Sequence, residues 1–211
     1  MRLEELLKEV AKEYIDLCKD IIKTLNPFFK EHFGVGVPHD MAFKIEVLPR
    51  FTPVKNVAYY FIKEDFILIR FPHAFIEPSL KNVAHELIHV TQALKYGKEV
   101  LLKDVGSFEE EAYRLENMLY FKYLPQEIKE RGEILETLLD SIAILLAYRK
   151  YGVLNTLGQF TLYGLDDSWI KCKEGLSKKY PEECRKVSEL VRLVCKEVPE
   201  VKEWAMCTSV K

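Results

Sequence analysis

His85, Glu86 and His89 stand in the order H-E-x-x-H within VAHELIHVTQALKYG, residues 83 to 97. Successive helix residues rotate by about 100°, so positions four apart lie one above the other on one face. His85 and His89 can therefore each direct one imidazole nitrogen at a single cation, and neutral imidazole ligates Zn²⁺ at roughly 2.0–2.1 Å. Glu86 is one step round the helix, off the ligand face, where it reaches a water and takes its proton as general base. The chemistry this spacing points to is hydrolysis. What separates it from a chance string is its setting, with Val83, Leu87, Val90 and Leu94 forming an apolar stripe opposite the histidines. His32, His39 and His73 have no comparable arrangement and read as ordinary surface or core histidines.

A catalytic zinc site uses three protein ligands and keeps a fourth position open. A histidine ten positions after the first, as in metzincins, is excluded because Lys95 stands there. The next segment able to supply the ligand is SFEEEAYRLEN, residues 107 to 117. On a helix, Phe108, Ala112, Leu115 and Leu119 mark its packed face, with Glu109 and Glu116 on one shoulder and Glu111 on the other. Glu110 points away and has capping-box spacing with Ser107. Helical geometry leaves Glu109, Glu111 and Glu116 in play.

These residues need elements to hold them. Leu3, Leu6, Leu7, Val10, Tyr14, Leu17, Ile21 and Ile22 recur at helical spacing, which predicts a first helix ending near Asn26-Pro27. Three β-rich runs follow, AFKIEVL, NVAYYFI and FILIRF, the last two joined as a hairpin through Lys63, Glu64 and Asp65. The motif helix runs from Pro78-Ser79 to Gly97, a second from Ser107 to about Tyr123, and a third from Gln126 to Tyr151. Two or three more are expected beyond, with breaks near Gly164, Pro181 and Pro199. The fold class is α+β, a small antiparallel or mixed sheet packed on the motif helix with a mostly helical C-terminal part. All 211 residues are expected to form one domain, with a core at about 43–123 and a helical extension at about 125–211.

The string HELIHVTQ at 85 to 92, followed by EEEA at 109 to 112, resembles the gluzincin branch of the zincin metallopeptidases. There a glutamate on the following helix, within E-x-x-A-D or E-x-x-A-N, is the third zinc ligand. The resemblance implies that His85, His89 and Glu109 bind Zn²⁺, that Glu86 is the catalytic base, and that the substrate is a peptide or protein. It also implies that FILIRF is the edge strand pairing with an extended substrate, and it covers about residues 43 to 123. Tyr113 stands where the family pattern has Asp or Asn, the residue that orients a ligand histidine. Glu116 or a tyrosine hydroxyl is then left to take that role. For the group that stabilises the transition state, Tyr113, Tyr120, Tyr123, Tyr151 and Tyr163 are all available.

A formal net charge of −2, with Lys and Arg spread along the chain, argues against a nucleic-acid partner. The N-terminus MRLEELLKEVAKEYIDL lacks an uninterrupted apolar core, and the apolar stretch Ile134 to Tyr148 is too short to span a bilayer. No membrane partner is expected, and the expected location is cytoplasmic. Cys184 and Cys195, eleven apart, fall on nearly one helical face, so a disulfide or thiol cluster with Cys172 and Cys207 is conceivable; an intracellular location favours buried free thiols. Two other readings compete with hydrolysis, a non-catalytic zinc-binding module and a metal-free helical interaction module.

Overall fold

The computed structural model describes residues 2–73 and 78–209. The chain runs α1 (Leu3–Phe33), β1 (Ala42–Val47), β2 (Ala58–Phe61), β3 (Phe66–Phe71), α2 (Ser79–Tyr96), α3 (Lys98–Lys103), α4 (Val105–Met118), α5 (Gln126–Tyr151), α6 (Thr156–Glu174), α7 (Pro181–Glu197) and α8 (Ala205–Thr208). A π-helical turn, Leu119–Tyr123, continues α4. This is the expected α+β class with a small mixed sheet and a mostly helical remainder.

The strand order is β1-β3-β2, with β1 parallel and β2 antiparallel to β3. Phe61 pairs with Phe66 across the expected hairpin, whose turn places Asp65 at φ 54°. FILIRF is thus the central strand and not an edge. Its alternate residues Ile67, Ile69 and Phe71 are fully buried, which suits a strand paired on both sides. The edge beside the motif helix is β2.

α1 continues through Pro27 to Phe33 and ends at Gly34 in the left-handed conformation, φ 79°. Proline inside a helix costs about 3 kcal/mol. Against that, Phe28, Phe29 and Phe33 are buried on the continued face, and each contributes roughly 1.5–3 kcal/mol. Packing wins, and the helix does not stop where local propensity would stop it. Asn26 instead holds the returning chain, donating to Val37 O at 3.0 Å and accepting from Val37 N at 2.8 Å.

A single hydrophobic cluster runs from Leu3 to Cys207, so the C-terminal helices share the core with the segment that carries the motif. α2 begins at Pro78 without a side-chain cap of its own. Its first amides are satisfied from α5, where Glu136 accepts from Ser79 N at 3.2 Å, Leu80 N at 3.3 Å and Tyr14 Oη at 3.2 Å. One turn earlier, Gly132 permits close approach, since a Cβ there would sit 2.4 Å from Leu80 Cδ1. Gly132→Ala is therefore expected to cost about 1–3 kcal/mol, read as a lower urea midpoint at unchanged slope.

Several local expectations are corrected. α6 passes unbroken through Gly164. α4 starts at Val105, and Ser107 donates to Asp104 Oδ1 at 3.0 Å, so no capping box joins Ser107 to Glu110. Leu94 is 49 % exposed and leaves the buried stripe to Val83, Leu87 and Val90. The C-terminal cysteines are not free: Cys172 pairs with Cys184 and Cys195 with Cys207, while Cys18 is a buried thiol. Cys184 and Cys195 do share α7, but eleven residues of helix rise roughly 16 Å, beyond any disulfide's reach. The bridges instead tie α7 to α6 and to α8. Reduction is expected to lower stability by about 2–4 kcal/mol per bridge, measured as the urea midpoint with and without reductant. No helix among the described residues is long and apolar enough to cross a membrane.

Candidate metal centre and cleft

α2 presents its histidines to α4, which packs against it through Ala112, fully buried. His85 and His89 are both buried, and their Nε2 atoms lie 3.1 Å apart. Glu109 reaches them from α4, with Oε2 at 3.2 Å from His85 Nε2 and Oε1 at 3.3 Å from His89 Nε2. The three side chains form a cluster whose ligand atoms all lie within 4.8 Å of one another.

The outer hydrogen bonds fix the ring tautomers. His85 Nδ1 is 2.7 Å from Glu116 Oε2, a carboxylate that accepts, so Nδ1 carries the proton. His89 Nδ1 is 2.8 Å from Gln92 Oε1. That amide is oriented by its other end, since Gln92 Nε2 donates to Phe108 O at 3.1 Å and Glu111 Oε2 at 2.9 Å. Both rings therefore turn Nε2 towards the Glu109 carboxylate, as a lone pair when the ring is neutral. With both rings neutral, three electron-pair donors converge, an arrangement that calls for a proton or a metal cation among them. A tetrahedral ion with bonds of 2.0–2.1 Å has ligand–ligand edges of about 3.3 Å. The observed separations of 3.1, 3.2 and 3.3 Å match those edges, and the donor set of two imidazoles and a carboxylate suits Zn²⁺.

The surrounding charges act in opposite senses on the two rings. Burial pulls the His85 pKa down, but the hydrogen bond to Glu116 and the charges of Glu86, Glu116 and Glu109 raise it overall. His89 is lowered by burial and by His85. Glu116 resists the upward push of burial because His85 and Lys81 hold its carboxyl below the usual range, Lys81 Nζ lying 3.2 Å from Oε1.

Glu86 stays out of the ligand triangle and accepts from Tyr60 N on the β2 edge at 2.7 Å. Loss of water pushes its carboxyl up to about 7, although His85 and the Tyr60 amide pull it down. In this state it is poised to exchange a proton near neutral pH.

A cleft of about 530 Å³ opens over the cluster. One wall is β2, from Ala58 to Tyr60; the other is apolar, made by Leu101 and Leu102 of α3 with Val105 and Phe108 of α4. Of the five tyrosines considered above, Tyr113 lines this cleft, its ring 4.8 Å from that of His85. Tyr151 packs near Phe51, Tyr163 stacks on Trp204, and Tyr123 meets Phe28.

Among the three glutamates left open by helical geometry, the structure places Glu109 with the histidines, Glu116 on the far nitrogen of His85, and Glu111 against Gln92. Gln92, Lys81, Tyr60 and the α3 wall were not singled out by the sequence. Gln92 alone carried a signal, standing one turn after His89. No protein-family model, curated protein or solved structure matches this chain.

Proposed function

We propose that the protein is a zinc-dependent metallopeptidase. The observation that carries the reading is the convergence of His85 Nε2, His89 Nε2 and the Glu109 carboxylate at tetrahedral-edge distances, with both rings held as Nδ1–H tautomers by Glu116 and Gln92. The resemblance of HELIHVTQ and EEEA to gluzincins points the same way. Bound Zn²⁺ would supply Lewis-acid activation of water and of the scissile carbonyl.

The chain's own residues would do the rest. Glu86 accepts the proton of the attacking water and returns it to the leaving amine. Its hydrogen bond to Tyr60 N ties the base to the β2 edge, so proton acceptor and substrate-binding backbone share one frame. β2 pairs on one side with β3, and an extended peptide is suited to its other edge. Tyr113 lines the cleft, and its hydroxyl would serve to stabilise charge developing on the carbonyl oxygen. A closed structural zinc site takes four protein ligands. Here three converge beneath an open cleft, which favours catalysis over a structural module.

The test is metal analysis of protein purified without added metal, joined to cleavage of an unfolded protein and a mixed peptide library. One zinc per chain and chelator-sensitive cleavage are expected, both lost in the His85→Ala/His89→Ala double variant. Zinc retained in full by that variant, or cleavage that survives it, overturns the proposal.

A further inference from the structure

The cleft over the metal centre differs in chemistry between its two ends. α4 runs back along α2, since Gln92 late in α2 bonds Phe108 early in α4, while His85 meets Glu116 towards the other end. α3 begins beside the β2–β3 turn, where Lys98 pairs with Asp65. The end of β2, followed by Ile62, thus shares one end of the cleft with Leu101, Leu102, Val105 and Phe108. Lys55 and Asn56, which precede β2, lie at the other end with Asn82, a turn before His85. Glu86 and the histidines sit between an apolar end and a polar one.

The apolar end is open to solvent. Leu102 and Val105, aliphatic neighbours across the α3–α4 junction, are each half exposed. Apolar surface gathered at the mouth of a cleft marks the place where an apolar ligand group is buried. The β2 edge fixes which part of a peptide arrives there. Val57 O accepts from Arg70 N of β3, so the alternate residues Ala58 and Tyr60 turn their backbone groups to the open side, where Tyr60 N meets Glu86. On such an edge an antiparallel partner pairs more stably than a parallel one. It runs against β2, so the N-terminal part of the peptide passes Ile62 and the α3–α4 wall, and its C-terminal part passes Asn56 and Lys55.

We propose that this cleft selects peptides with a large apolar residue just before the bond that is cut, an inference that rests on the metallopeptidase reading above. Leu102 and Val105 are the specificity-determining residues, with Leu101 and Phe108 completing the wall that covers the apolar side chain. After the cut bond the peptide meets Lys55, Asn56 and Asn82, which offer an apolar side chain little to pack on. The apolar preference is therefore stronger before the bond than after it. A leucine before the bond is favoured over a serine by roughly tenfold, the lower end of what a small difference in apolar size contributes in a pocket.

The test incubates the full chain with a mixed peptide library and identifies the residues flanking each cut by mass spectrometry. Leu, Met and Phe are expected to be enriched before the cut bond, and more strongly there than after it. Two peptides that differ only in Leu or Ser before the cut bond then give a ratio of kcat/KM. That ratio is expected to fall from roughly tenfold to about one in Leu102→Asn/Val105→Asn and to persist in Leu102→Met/Val105→Ile, with zinc content unchanged in both. The library profile is read on the unsubstituted chain, so a variant that misfolds does not leave the question open. Stronger enrichment after the bond, no enrichment, or a ratio unmoved by Leu102→Asn/Val105→Asn overturns the proposal while the metallopeptidase reading stands. Absence of any chelator-sensitive cleavage overturns that reading and this inference with it.

Discussion

Glu86→Gln is expected to keep one zinc per chain and to lose peptide hydrolysis by roughly 10²–10⁴-fold, the usual contribution of a positioned general base. The carboxylate lies outside the triangle formed by His85, His89 and Glu109, so a bound metal would keep all three proposed ligands. Its Oε2 accepts from Tyr60 N, and the glutamine's amide oxygen can accept the same bond, so the β2 edge should stay in place. What the substitution removes is the basic oxygen. Single-turnover cleavage measured alongside metal content checks both halves of the expectation. Zinc loss in this variant would mean that Glu86 is a ligand, and undiminished cleavage would mean that the proton goes elsewhere.

The contrast between fold and site shows which physical signals a sequence carries. The α2 helix, the hairpin at Lys63 to Asp65 and the α5 helix are local objects, written in periodicity and in turn residues, and they form as expected. Strand order is not local. FILIRF and NVAYYFI read alike as strands, and only the parallel pairing of β1 on the far side of β3 makes the first central and the second an edge. Pro27 is a strong local stop signal, overridden by three phenylalanines whose burial exists only in the tertiary structure. Cysteine pairing failed for the same reason: Cys184 finds Cys172 across a helix junction that spacing along α7 does not reveal.

At the site, the clustered residues His85, His89 and Glu109, and Glu116 as the partner of a histidine, were legible, whereas the partners that hold Glu116, Glu86 and the start of α2 were not. Lys81 reaches Glu116 from a different helix, and Tyr60 reaches Glu86 from a strand. Glu136 caps α2 from fifty-seven positions away, measured to Ser79. Such partners stabilise charges and ring orientation through contacts that carry no spacing rule. Tyr113, standing where Asp or Asn is found in the gluzincin pattern, is the informative departure. The orienting carboxylate for His85 comes instead from Glu116, one turn further along α4, at 2.7 Å from Nδ1.

That displacement makes alanine variants along α4 the most discriminating measurement of metal affinity. Glu109→Ala removes a proposed ligand outright, leaving two imidazoles, and is expected to weaken zinc binding by more than about hundredfold, above the ten- to hundredfold typical of outer partners. Glu116→Ala should fall within that lower range. It frees the His85 ring to change tautomer and removes the carboxylate 3.2 Å from Lys81 Nζ, yet all three proposed ligand atoms remain. Glu111→Ala should cost less still, because it would act on the proposed metal site only through Gln92, which keeps its bond to Phe108 O at 3.1 Å. Glu110→Ala should leave affinity unchanged and stability within about 0.5 kcal/mol, since Glu110 is exposed and α4 begins at Val105 without using it as a cap. The expected order of loss is therefore 109, 116, 111, 110, read by competition with a chelator of known zinc affinity. A larger loss at 116 than at 109 would mean that Glu116 is a ligand, with α4 displaced along its axis, because positions seven apart share a face and differ by roughly 10 Å of rise. In that case Tyr113 would mark a change of ligand and not merely a change in the residue that orients His85.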